Sequence, residues 1–254
     1  MYLSSFLSPE LWVLTMNEVR KGGVRLFFTI PNLFTLLNLG FGFIGLYFAI
    51  IGDLLSAFLF VLLAIMSDGI DGFIARKLNA VSELGKELDS LCDQVSFGVT
   101  PAVMLVSSLM NSEFIVMGII AAIIYSGFGA LRLARFNIYG SKEFFEGLAI
   151  PAAAFFECLV ILCILPLNEI VCIVLTIIIA ILMISSVAFP SAKTRTGVQT
   201  IAMSLAIGMI YFLIFVIIMP SILASTIKIA LWGLFSIMLS YVTASPIIFA
   251  VIEK

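Results

Sequence analysis

The residues of this chain best suited to chemistry lie between Asp68 and Asp93, in DGIDGFIARKLNAVSELGKELDSLCD. The stretch holds four aspartates, one arginine and three glycines in a chain that is otherwise almost continuously apolar. Asp68 and Asp71 are three apart, and Asp89 and Asp93 four apart, so on helices each pair shares one face. Residues 77–82 (KLNAVS) are the plausible turn, with Ser82 suited to cap a second helix whose first turn carries Glu83. With Ala80 at the tip, Asp71 and Asp89 are each nine residues away, and Asp68 and Asp93 twelve and thirteen. At about 1.5 Å per residue the pairs reach similar depth, so four carboxylates can face one another.

Four carboxylates in apolar surroundings need cations. An ionised aspartate costs about 2.5–3.5 kcal/mol at a bilayer centre, less near its surface, and neighbouring ones repel. Arg76, Lys77 and Lys86 nearly balance the charge, but the two lysines are close enough to the surface to reach water. Two divalent cations would neutralise the group fully, and all-oxygen ligands suit Mg²⁺ or Mn²⁺. Asp68, Asp71, Asp89 and Asp93 are therefore predicted metal ligands. Gly72 and Gly85 remove side chains beside the acids, and Arg76 can grip a phosphate with two parallel hydrogen bonds. Two-metal sites polarise phosphoryl groups, so phosphoryl chemistry is the natural use.

The elements that position these residues must be membrane helices. Of the 254 residues 63% are hydrophobic and 11% charged, and the mean hydropathy is +1.25. The fold class predicted is an all-α integral membrane protein. Histidine is absent, which leaves acid–base work to carboxylates, Tyr, Lys or Cys. Cys92, Cys158, Cys163 and Cys172 lack metal-like spacing and read as reduced packing residues. The formal charge of −2 points to no charged partner, and there is no nucleic-acid signature.

Residues 1–27 form a mixed N-terminal segment, cytoplasmic or interfacial, without the pattern of a cleaved signal peptide. Residues 28–254 read as a single transmembrane domain with about eight spans, near 30–51, 55–78, 83–110, 114–137, 147–166, 169–189, 197–219 and 223–251. Threading from a cytoplasmic N-terminus puts 12 of the 13 basic residues inside, leaving only Lys228 outside. That bias predicts both termini inside and the aspartates at the cytoplasmic end.

Other polar residues stand out against this background. Asn32 and Thr35 share a face of the first span, suited to interhelical hydrogen bonds or to lining the site. Arg132 and Arg135 close the fourth span, as membrane-edge anchors or as a fixed cation for a ligand. The small residues of Gly147–Ala154 allow close backbone approach. Glu157, mid-span, has no assigned role, and the loop Phe189–Arg195 reads as topology-setting or headgroup-contacting.

The order Asp68-x2-Asp71-Gly72-x2-Ala75-Arg76-x8-Gly85-x3-Asp89-x3-Asp93 resembles the signature of the CDP-alcohol phosphotransferases at every specified position. The resemblance implies an enzyme that moves a phosphatidyl-type group from a CDP-linked lipid to a small alcohol, releasing CMP. It implies metal binding by Asp68, Asp71 and Asp89, and metal binding plus general-base work by Asp93. Gly72, Ala75, Arg76 and Gly85, with Asp68, Asn32 and Thr35, fall where CDP would be held. A six-helix core in a homodimer is implied too, with the last two spans an extension. Residues 96–102 (SFGVTPA), Arg132–Asn137 and Gly147–Ala154 look like the phosphatidylserine synthase branch. Ala149, where a proline is expected, and Cys92, where a small residue is expected, depart from the pattern.

The predicted reaction is therefore phosphatidyl transfer from CDP-diacylglycerol, or an ether-lipid analogue, to L-serine at the cytoplasmic membrane. Arg132 and Arg135 are candidates for the serine carboxylate. Alternatives are another acceptor (glycerol 3-phosphate or inositol phosphate) or archaetidylserine synthesis. Two non-enzymes compete: a divalent-metal transporter, which should carry polar groups through the whole depth, and a metal-stabilised scaffold, which leaves Arg76 and the glycines unexplained.

Overall fold

A computed structural model describes residues 30–77, 82–139, 145–189, 195–218 and 226–252. The segment 1–27, the turn at 78–81, Lys142, the loop residues 190–194 and Lys254 lie outside the described residues. The helices are α1 (Ile30–Ile50), α2 (Leu54–Lys77), α3 (Glu83–Asp93), α4 (Thr100–Ser108), α5 (Ile115–Tyr139), α6 (Ile150–Cys163), α7 (Glu169–Ile184), α8 (Arg195–Ile218) and α9 (Thr226–Ile252). A π-helical turn, Gln94–Val99, joins α3 to α4, so that Glu83–Ser108 is one continuous element. Counted that way, the described residues form the eight helical elements the hydropathy pattern predicts.

Five of them (α1, α2, α5, α8 and α9) are long and apolar enough to cross a membrane by themselves. The protein is an all-α, multi-pass membrane protein. α6 and α7 are shorter than the predicted spans, at 14 and 16 residues. Residues 147–149 and 185–189, assigned to spans from hydropathy, instead form connections. Phe145–Glu146 and Ala188–Phe189 pair as two short antiparallel strands, β1 and β2. Gly147 takes a φ of +78°, and a Cβ there would collide with the Met183 carbonyl. The close backbone approach foreseen for this stretch is therefore made at Gly147.

α1 packs along α2, α5 along α7, and α8 along α9. The core is centred on the π turn and α6, where Phe97, Leu105, Tyr125, Ile150 and Leu159 are buried. The α8–α9 pair joins this body through α9, with ring centroids 5.7 Å apart for Phe235 and Phe156 and 5.8 Å apart for Tyr241 and Phe189. Outward side chains such as Phe43, Tyr47, Leu59, Ile123 and Ile217 are exposed and apolar, as lipid contact requires.

The π turn corrects the expectation of an uninterrupted third span, and Pro101 explains it. Pro101 has no N–H to give to the carbonyl of Phe97 four residues back. The Tyr125 hydroxyl donates to that carbonyl instead, at 3.1 Å. The Thr100 N–H reaches back five residues to the Val95 carbonyl. Ser96 Oγ donates to the Asn38 carbonyl at 3.1 Å, and Thr100 Oγ1 lies 3.1 Å from the Gly42 carbonyl. A Cβ at Gly42 would collide with Ser96. The turn is thereby clamped against α1 immediately after Asp93.

Candidate metal centre

Aspartates of α2 and α3 meet near the ends of the two helices. Ser82 caps α3 as predicted, accepting from the Gly85 N–H at 3.0 Å. One carboxylate oxygen from each of Asp68, Asp71 and Asp89 lies within 4.8 Å of the others. Divalent cations hold oxygen donors at about 2.0–2.6 Å, so two donors to one ion can be about 4–5 Å apart. Asp89 Oδ1 is buried and makes no hydrogen bond. Hard anionic oxygens that are close, partly buried and short of donors fit a divalent cation. The cluster has the arrangement of a metal site.

Asp93 stands beside this trio, one helical turn further along α3. It is buried, its Oδ1 accepts from Asn38 Nδ2 at 2.9 Å, and it lies within electrostatic reach of Asp68 and Asp89. Three of the four predicted ligands thus form the cluster, and the fourth is held next to it by α1.

The two lysines are engaged elsewhere. Lys77 Nζ sits 5.9 Å from the Phe73 ring centroid. Lys86 Nζ donates to the Asn137 carbonyl at 2.9 Å, near the end of α5. The ion-pair reading of the aspartates therefore loses two of its three cations. The side chains of Ala75 and Arg76, in the last turn of α2, lie outside the described residues.

The arginines of α5 are separated in role. Arg135 donates to the carbonyls of Ile184 and Ser185, at 2.9 and 3.4 Å, and so satisfies the end of α7. Arg132 points inward. It is only 8% exposed, its Nε has no hydrogen bond, and it lies within electrostatic reach of Asp93 and Asp68. Burial to that degree excludes snorkelling to the surface for Arg132.

Asn32 and Thr35 are both buried on α1. A Cβ on Gly85 would come within 3.2 Å of Asn32 Oδ1, so Gly85 is where α3 admits Asn32. Thr35 Oγ1 donates to the Pro31 carbonyl of its own helix at 3.2 Å. Gly72 is half-buried beside Asp71.

Sequence reasoning missed two residues here. Asn38 continues the Asn32–Thr35 face of α1 at the same spacing of three, a signal that was available. Ser67, which donates to the Phe34 carbonyl at 2.8 Å and ties α2 to α1 beside Asp68, carried no such signal. Glu157, unassigned from sequence, is fully buried on α6 and accepts from Thr176 Oγ1 of α7 at 2.7 Å. The four cysteines are free and buried, as packing residues should be.

Comparison with known proteins places this geometry in context. The family described as CDP-alcohol phosphatidyltransferase matches residues 28–243. The chain is 37% identical over 187 residues to the CDP-diacylglycerol–serine O-phosphatidyltransferase of Methanocaldococcus jannaschii, covering 74% of this chain and 86% of that protein. It is 41% identical over 170 residues to the protein of the same name from Bacillus subtilis, covering 66% and 93%. The archaetidylserine synthase of Methanothermobacter thermautotrophicus is 36% identical over 142 residues, covering 55% of this chain and 59% of that protein.

Proposed function

The chain belongs to the CDP-alcohol phosphatidyltransferase family, and we propose that it transfers a phosphatidyl group from CDP-diacylglycerol to the hydroxyl of L-serine. The products are phosphatidylserine and CMP. The observation that carries this reading is the gathering of Asp68, Asp71 and Asp89 with Asp93 alongside, inside the family signature. The serine acceptor is supported by relatives of that name at 37% and 41% identity.

Residues 28–254 act as one catalytic membrane domain, with 1–27 preceding it. Asp68, Asp71, Asp89 and Asp93 hold two divalent cations, Mg²⁺ or Mn²⁺. Bound there, such ions polarise a pyrophosphate and stabilise charge on attacking and leaving oxygens. The chain's own residues do the rest. Gly72, Ala75, Arg76, Gly85, Asn32 and Thr35 line the CDP subsite, where Arg76 supplies a planar donor for phosphate. Asp93 accepts the serine hydroxyl proton. The serine oxygen forms a bond to the lipid-side phosphorus as the bond to the CMP oxygen breaks, and CMP leaves with that electron pair. Arg132, buried near Asp93, orients the serine carboxylate. Arg135 is the weaker candidate, because its guanidinium already serves the end of α7.

The basic residues favour an active site facing the cytoplasm, with both termini inside the cytoplasmic membrane. Family resemblance favours a homodimer. A second reading, archaetidylserine synthesis from an ether-linked CDP-lipid, keeps every role above. The archaetidylserine synthase relative supports it.

CMP release from purified protein tests the proposal, with diacyl or ether CDP-lipid and Mn²⁺ or Mg²⁺. Serine-dependent, chelator-sensitive release is expected, lost in Asp93→Asn without loss of fold. Release that needs glycerol 3-phosphate or inositol phosphate in place of serine would overturn the acceptor assignment. Silence with every acceptor and both lipids would reopen the transporter.

A further inference from the structure

Asn38 is fully buried on α1, and the two ends of its amide are in unequal positions. Nδ2 donates to Asp93 Oδ1 at 2.9 Å, whereas Oδ1 is buried without any hydrogen bond. Turning the amide over would set its oxygen against a carboxylate oxygen, so Asp93 fixes the orientation. The backbone is pinned as well, since the Asn38 carbonyl accepts from Ser96 Oγ at 3.1 Å. An unbonded buried acceptor destabilises the fold, and a donor on a bound molecule would recover that loss.

Arg132 provides the complementary feature. Its Nε is a buried donor without a hydrogen bond, and its guanidinium lies within electrostatic reach of the Asp93 carboxylate. Around Asp93 the chain therefore offers one unused acceptor on α1 and one unused cationic donor on α5. An α-amino acid alcohol carries the matching set: an ammonium donor, a carboxylate acceptor and a hydroxyl whose proton Asp93 takes. An anionic phosphate acceptor has no donor for Asn38 Oδ1 other than its hydroxyls.

We infer that Asn38 sets acceptor specificity: its Nδ2 positions the Asp93 carboxylate while its Oδ1 accepts a hydrogen bond from the ammonium group of serine. This rests on the serine reading above and adds the residue that recognises the amine. Asn38 thus couples recognition to the base, because one rigid amide contacts both.

The test compares CMP release with L-serine, 3-hydroxypropionate (no ammonium) and ethanolamine (no carboxylate), using the full-length protein, CDP-diacylglycerol and Mn²⁺. The wild type should prefer serine to 3-hydroxypropionate by at least about tenfold in kcat/KM, because the analogue leaves Oδ1 unbonded. In Asn38→Ala that preference should shrink by about tenfold, with a raised KM for serine and little change in KM for the CDP-lipid. Discrimination against ethanolamine, which depends on Arg132, should persist. Asn38→Ser, smaller but still able to accept, serves if the alanine variant does not fold, and should keep part of the preference. An unchanged preference in a folded Asn38 variant, or a wild type that uses 3-hydroxypropionate as well as serine, overturns the inference alone. Release that requires a phosphate acceptor and ignores serine removes the serine reading and this inference with it.

Discussion

The Tyr125 hydroxyl donates to the Phe97 carbonyl at 3.1 Å, and that carbonyl is the one Pro101 leaves without a helical donor. One phenol on α5 thus completes the backbone of the π turn that follows Asp93. Tyr125→Phe should lower stability by about 0.6 kcal/mol and by no more than about 1.7 kcal/mol, the mean and the maximum for side-chain hydrogen bonds between membrane helices. The loss should be smaller in a Pro101→Ala background, where an N–H at 101 can serve the Phe97 carbonyl. Thermal unfolding of the four chains in detergent closes the cycle. Equal losses in both backgrounds would mean that the two residues are not coupled.

Ala149 is a substitution with a visible geometry. It precedes α6 with φ −63° and ψ 138°, values a proline ring adopts without strain. Ala149→Pro should therefore raise stability by about 0.4–1 kcal/mol through the unfolded state, with activity retained. A melting temperature that falls instead would show that the Ala149 N–H is needed.

The aspartate hairpin was legible because helical spacing, the Ser82 cap and the charge cost in a membrane all act locally. The division between Arg132 and Arg135 was not, although they lie only three residues apart. It depends on where α7 ends, since the Ile184 and Ser185 carbonyls claim Arg135. The π turn escaped for a similar reason. Pro101 announces a missing hydrogen bond, but only the packing of α5 shows that Tyr125 replaces it. Hydropathy also overextended the spans at Gly147–Ala149 and Ser185–Phe189, because it does not register a positive φ or a strand pair. Asn38 shares the spacing of Asn32 and Thr35, yet only the fold puts Asp93 opposite it.

Glu157 and Thr176 form a buried pair whose members depend on it unequally. Thr176 Oγ1 has a second acceptor in the Cys172 carbonyl at 3.1 Å, whereas Glu157 Oε2 has no hydrogen bond at all. Thr176→Val should thus cost more than Glu157→Leu, because it leaves both carboxyl oxygens buried without a donor, at about 1–3 kcal/mol. The double variant should recover most of that loss. Thermal unfolding of the wild type and the three variants provides the comparison, and a Glu157→Leu variant less stable than Thr176→Val would reverse the argument.

Removal of divalent cations should be felt in stability as well as activity. Asp68, Asp71 and Asp89 bring three carboxylates within 4.8 Å, so their mutual repulsion opposes the approach of these side chains unless cations offset it. Mn²⁺ at about 100 times its Kd should stabilise the wild type by about 2.7 kcal/mol for each site filled, and a chelator should reverse the gain. Asp68→Asn combined with Asp89→Asn removes two charges from the cluster. That variant should lose most of the cation-dependent shift and all CMP release, yet in chelator it should melt above the wild type. The opposite signs of these two effects separate a cation site from a hydrogen-bonded carboxylate cluster. In the latter, asparagines would change melting equally with and without Mn²⁺.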